Sequence, residues 1–187
     1  MKITIVSSST RLNRISHRIA LALKIEIEKT THDVHIIDLK DLALPTFEER
    51  YGHVSDPEGK LEKTFKLLES SDGLIFLTPE YNGAISSGLK NFIDVFAKKP
   101  FEGKPIGVAT GSTGALGGIR AAYQLQQTIL SIFGYPIPQM LTVGHMDKVI
   151  DENGKVMEDT FQVRLEFFLK SYLTFAEKII KPSPQKE

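Results

Sequence analysis

Five short apolar runs alternate with five longer amphipathic stretches along the whole chain, and that order leaves few folds open. The runs occupy residues 3–6, 34–37, 74–77, 106–109 and 137–143; the stretches occupy roughly residues 14–29, 58–71, 87–98, 118–133 and 160–180. Ile15, Ile19, Ala22 and Leu23 give the first stretch an apolar stripe at helical spacing. Leu165, Phe168, Leu169, Tyr172 and Ala176 give the last one the same. Strand–helix alternation predicts an α/β fold, a parallel sheet covered by helices on both faces with right-handed crossovers. Five strands favour the doubly wound order 2-1-3-4-5, with a switch point between the first and third strands. Nothing divides the chain, so a single domain over residues 1–180 is expected, with a frayed tail at 181–187 marked by Pro182 and Pro184. Asn153-Gly154 supplies residues suited to positive φ in a turn before the last helix.

In this topology the loops that leave strands 1, 3 and 4 meet at one edge, where open sheets bind ligands. The first loop, Ser7-Ser8-Ser9-Thr10-Arg11-Leu12-Asn13-Arg14-Ile15-Ser16, gathers hydroxyls, two arginines and a helix N-terminus. Those groups suit an anion, and a phosphate is the natural occupant. A single helix cap would need only one of these side chains.

The third strand stops at Pro79 and opens into Glu80-Tyr81-Asn82-Gly83, an aromatic residue beside backbone N–H groups and a helix start. That suits a flat, electron-poor ring better than a sugar or a metal. The fourth strand is followed by Thr110-Gly111-Ser112-Thr113-Gly114-Ala115-Leu116-Gly117-Gly118, whose glycines allow close backbone approach. Its glycine spacing fails the G-x-G-x-x-G dinucleotide pattern, and no G-x-x-x-x-G-K-[ST] phosphate loop is present. A phosphate subsite at the first strand with ring subsites at the third and fourth describes flavin mononucleotide, FMN. No acidic cluster ends the first strand, which disfavours a magnesium-dependent phosphoacceptor of similar topology.

Lysine plus arginine and aspartate plus glutamate both number 23, so the formal net charge is zero. A nucleic acid or an anionic membrane surface would call for a basic excess. With no cysteine, disulfides, thiolate metal sites and cysteine nucleophiles are excluded. The first residues are too briefly apolar for a signal peptide, and a soluble, cytoplasmic protein is expected.

On these motifs the whole chain resembles the NAD(P)H-dependent FMN reductase family, a flavodoxin-like group that includes quinone, azo-dye and chromate reductases. The resemblance is carried by Ser8-Ser9-Thr10-Arg11 with Ser16, and by Pro79-Glu80-Tyr81-Asn82 with Leu89-Lys90-Asn91-Phe92-Ile93-Asp94. The stretch from Ser112 to Ala121 carries it further. Ser8 stands where the family usually has Gly, and His17 where a small amide-type residue is common. The resemblance implies that Ser9, Arg11, Ser16 and His17 hold the phosphate and that Pro79, Glu80, Tyr81, Asn82 and Gly83 lie along the isoalloxazine. It further implies that Ser112, Thr113, Gly114 and Gly117 line the ring's other side. It implies no catalytic acid or base, since the chemistry belongs to the flavin. NAD(P)H as co-substrate, a small-molecule electron acceptor, a ping-pong cycle and a homodimer or homotetramer are implied as well. The N–H groups of Asn82 and Gly83 are then placed to stabilise negative charge on a reduced ring.

The main alternative is a flavodoxin-type electron carrier without NAD(P)H turnover. Such carriers are usually strongly acidic, and zero net charge with Arg11 and Arg14 argues against one. His32 and His35 flank the second strand and read as a solvated strand end, with no carboxylate at metal-ligand spacing. Glu48-Glu49-Arg50 and His53 fall in a long loop that suits a nicotinamide cover, a subunit contact or a plain connection.

Overall fold

The computed structural model describes residues 1–180 of the 187, so the expected tail lies outside the described residues. In chain order its elements are β1 Lys2–Ser7, α1 His17–Glu28, β2 Asp33–Asp38, α2 Leu39–Leu42, α3 Lys60–Ser70 and β3 Gly73–Pro79. There follow α4 Ser87–Phe96, β4 Pro105–Gly111, α5 Ile119–Ser131, β5 Tyr135–Val143, α6 Met146–Val149 and α7 Asp159–Ile179. All strand pairs are parallel, and the sheet order is β2-β1-β3-β4-β5, as the alternation predicts.

The central strands are apolar on both faces because both faces are covered. Every residue of β3 and of β4 is buried. One core joins α1 and α7 to the sheet through Ile19, Leu23, Leu165 and Phe168. The other joins α3, α4 and α5 through Leu68, Phe92, Phe96 and Leu125. Helix α7 lies close on the central strands only because Gly73 and Gly107 lack side chains. A Cβ on Gly73 would stand 2.4 Å from the Tyr172 hydroxyl, and one on Gly107 3.1 Å from the Phe168 ring. That tyrosine hydroxyl is fully buried and finds no hydrogen-bond partner among the described residues, and burial pushes its pKa up.

The edges are treated differently. Tyr135 sends its N–H to the Lys104 carbonyl on the β4 side, so alternation turns the hydrogen-less nitrogen of Pro136 outward, and Pro138 falls in a register shift of β5 between Pro136 and Met140. On β2, His35 Nε2 pairs with Asp33 at 3.0 Å. This corrects the expectation of a histidine without a carboxylate partner: residues two apart on a strand share a face. Of the Asn153-Gly154 pair only Gly154 takes positive φ, 86°, and it packs on the backbone of α1 at Ala22.

Candidate functional site

Three of the first loop's hydroxyls bond within the protein. Ser7 Oγ meets His17 Nδ1 at 2.9 Å, Ser8 Oγ meets Ser86 Oγ at 2.8 Å, and Ser9 Oγ meets the Tyr81 hydroxyl at 2.8 Å. The last two contacts join the loop after β1 to the segment after β3. The close approach also needs Gly88, whose Cβ would stand 3.0 Å from the Ser8 carbonyl oxygen.

The two arginines part company. Arg14 is bound by both oxygens of Asp38 at the end of β2 and donates to the Ser9 carbonyl at 3.1 Å. Helix α1 accordingly begins at His17, three residues beyond the expected Arg14. Arg11 makes no ion pair among the described residues, and its guanidinium lies over the Tyr81 ring, 5.9 Å from the centroid. Ser16 occupies the N-cap of α1, yet its side chain makes no capping bond.

The charges behind this loop follow from burial and pairing. Burial raises the Asp38 carboxyl, but Arg14, the Lys40 N–H and His17 outweigh it and hold the pKa below the usual carboxylate value. Burial and then Arg14 depress the pKa of His17, against the opposing pull of Asp38 and Asp41.

After β3 the chain makes a two-residue hairpin. Tyr81 and Ala84 exchange backbone hydrogen bonds of 3.0 and 3.1 Å, with Asn82 and Gly83 at φ 52° and 81°. An Asn-Gly pair with both φ positive is the sequence such a turn favours. Glu80 is engaged at the start of α5: it accepts from the Arg120 N–H at 3.1 Å and from its guanidinium at 3.0 Å.

The three strand ends enclose a cavity of about 150 Å³. Ser9, Arg11, Arg14 and Ser16 line it from the first loop, Pro79, Glu80 and Tyr81 from the second, Ser112 and Thr113 from the third. His17, Asn82, Gly83, Gly114 and Gly117 lie off its wall. His17 faces Ser7 and Asp38 instead, and Gly117 is buried against β5, where a Cβ would stand 2.8 Å from the Val143 nitrogen. Met146 of α6 lines the cavity without having been expected there; a four-residue helix carries no periodic signal.

A larger cavity, about 480 Å³, lies between the loop after α2 and α4, with Glu48, Glu49 and His53 on its wall. None of its walls comes from the three loops. Asn91 pins that loop, donating to the Pro45 carbonyl and accepting from the Phe47 N–H, both at 2.7 Å.

The chemistry of the smaller cavity fits the anionic end of FMN. An arginine free of carboxylates and a serine at an uncapped helix N-terminus stand on one wall, and neither is consumed by the fold.

Comparison with known proteins agrees. The family model described as NADPH-dependent FMN reductase matches residues 1–148. An NAD(P)H-dependent FMN reductase of Pseudomonas aeruginosa is 30% identical over 129 residues, 66% of this chain and 69% of that protein. A quinone reductase of Pseudomonas putida is 28% identical over 164 residues, 84% of this chain and 86% of that protein. Among solved structures, the flavoenzyme NAD(P)H:acceptor oxidoreductase FerB of Paracoccus denitrificans superposes with a TM-score of 0.79. It is 21% identical and covers 95% of this chain and 97% of its own. The fold, the three converging loops and the match over residues 1–148 together make this chain a member of the NADPH-dependent FMN reductase family.

Proposed function

We propose that residues 1–180 form one FMN-binding domain that passes reducing equivalents from NAD(P)H to a quinone, a free flavin, an azo compound or a similar small acceptor. The observation that carries this reading is the pairing of Arg11 and Ser16 on one cavity wall, both uncommitted, at the switch point of a doubly wound sheet. When bound, FMN supplies the two-electron chemistry.

The chain's residues divide the work of holding it. The Arg11 guanidinium donates to phosphate oxygens and supplies charge, while the Ser16 hydroxyl and the start of α1 add further donors. Ser9 is oriented for the same group by its bond to Tyr81. Arg14 stands on this wall but is committed to Asp38, which fixes the loop, and His17 acts behind the wall by holding Ser7. Pro79, Glu80 and Tyr81 flank the ring on one side, Ser112, Thr113 and Gly114 on the other, and Gly117 sets the loop's path. The N–H groups of Asn82 and Gly83 stabilise negative charge at the ring's edge.

NAD(P)H and the acceptor share one approach to this site, so the nicotinamide leaves before the acceptor enters, a ping-pong order. Among the described residues no helix is long and apolar enough to cross a membrane, and we place the protein in the cytoplasm as a homodimer or homotetramer. The zero net charge disfavours a strongly acidic electron carrier of the flavodoxin type.

Purified protein titrated with FMN tests the reading, followed by NADPH oxidation with an added benzoquinone. Saturable flavin binding and a family of parallel double-reciprocal lines are expected. Protein that refuses FMN in the titration overturns the proposal.

A further inference from the structure

We propose that the turn after β5, Gly144-His145-Met146, is a fourth wall of the cofactor site, with His145 as the positioning residue that fixes the loop after β4. The inference deepens the FMN reading above and rests on it.

Four contacts join the two segments. The Ser112 N–H donates to the Val143 carbonyl at 3.0 Å, and the Met146 N–H donates to the Ser112 carbonyl at 3.2 Å. The His145 N–H reaches the Gly114 carbonyl at 3.4 Å. The fourth is a side-chain bond: His145 Nδ1 stands 3.2 Å from the Thr113 carbonyl oxygen, which only accepts, so the ring donates from Nδ1. Every residue from Ser112 to Gly114, the stretch assigned to the cofactor ring, is thereby tied to this turn.

Two features show that the approach is close. A Cβ on Gly144 would stand 2.4 Å from the Ala115 carbonyl oxygen, so only glycine lets the turn sit against the loop. His145 is held at φ 48° and ψ 39°, a left-handed conformation that a non-glycine residue adopts at a cost. Its side-chain bond to Thr113 is what that conformation provides. Next to it, Met146 turns its thioether over the end of β4, where a Cβ on Gly111 would be 2.8 Å from Sδ, and lines the cavity with Ser112 and Thr113.

Sequence motifs gave no notice of this wall. The segment Val143-Gly144-His145-Met146 has no fingerprint, and its role appears only because β5 runs beside β4 in register through Gly111 and Val143.

FMN titrations of the wild type, His145→Ala and His145→Gln, each with amide hydrogen exchange of residues 112–117 in flavin-free protein, test the proposal. His145→Ala removes the donor, and we expect flavin affinity to fall about 5- to 10-fold, the effect of one lost hydrogen bond. Exchange across residues 112–117 should rise in the same variant. His145→Gln keeps a side-chain donor and should recover most of both effects, whereas a role in overall packing alone would not be rescued. Wild-type affinity and exchange in His145→Ala overturn the inference, as does a Gln variant no better than Ala. The exchange arm is read without flavin, so it separates failure of this wall from failure of the FMN assignment.

Discussion

Arg14 closes on Asp38 with two guanidinium nitrogens, and the same carboxylate stands 3.7 Å from His17 Nδ1. The pair joins the end of β2 to the loop after β1, so Asp38, which lies off the cavity, fixes Arg14 on the cavity's wall. Folding depresses the pKa of His17 below its ordinary 6.5, so the unfolded chain binds a proton more readily. The stability this contributes is complete above about pH 6.5 and is lost as pH falls below it. Asp38, also depressed, adds a loss only below its ordinary 3.8. Urea unfolding from pH 7.5 down to pH 5 should show a falling midpoint, and His17→Gln should flatten that slope.

Arg11→Ala should weaken FMN binding by about 1.5–3 kcal/mol, the range for a hydrogen bond to a charged group, or roughly 10- to 150-fold in Kd. Its guanidinium makes no ion pair among the described residues and lies over the Tyr81 ring, so thermal stability should change little. Quenching of flavin fluorescence during titration measures the loss. An unchanged Kd would remove the phosphate from this wall.

Tyr81→Phe leaves Ser9 Oγ without its partner while keeping the ring under Arg11. A cost of about 0.5–1.5 kcal/mol in flavin affinity is expected. Tyr81→Ala should in addition alter the absorbance envelope of bound FMN or the turnover. If neither moves, Tyr81 is a packing residue.

Gly117→Ala combines two penalties, a φ of 62° and a Cβ 2.8 Å from the backbone nitrogens of Val143 and Gly144. Backbone cannot yield as a side-chain tip does, and a loss on the order of 2–4 kcal/mol of stability is expected. Chemical denaturation reads it directly, and a loss under 0.5 kcal/mol would show that the loop is not held against β5.

Tyr172→Phe deletes a hydroxyl that is buried beside Gly73 without a partner among the described residues. Removing an unsatisfied polar group should stabilise the protein by about 1 kcal/mol. A lower unfolding midpoint in the variant would mean that the hydroxyl does find a partner in solution.

The sheet was legible because its signal is periodic: apolar runs of four or more residues, each followed by an apolar stripe at helical spacing, specify strand order once crossover handedness is imposed. The three loops were legible by position. What escaped was contact between residues far apart in sequence. Arg14 reads with Arg11 as one of two arginines suited to an anion because nothing near it announces Asp38, 24 residues on. The serines of the first loop looked like a row of donors, yet Ser8 and Ser9 turn to Ser86 and Tyr81. Helices α2 and α6 are four residues each, too short for a 3.6-residue period to show. Met146 entered the site through one of them.

The prolines at 136 and 138 bear on how copies of this chain can assemble. A neighbour that tried to lengthen the sheet beyond β5 would meet a missing donor at Pro136 and a broken register about Pro138, and the ladder would not zip. Association on that side is therefore left to helix surfaces, whose side chains can be tuned one at a time without exposing the sheet to runaway stacking.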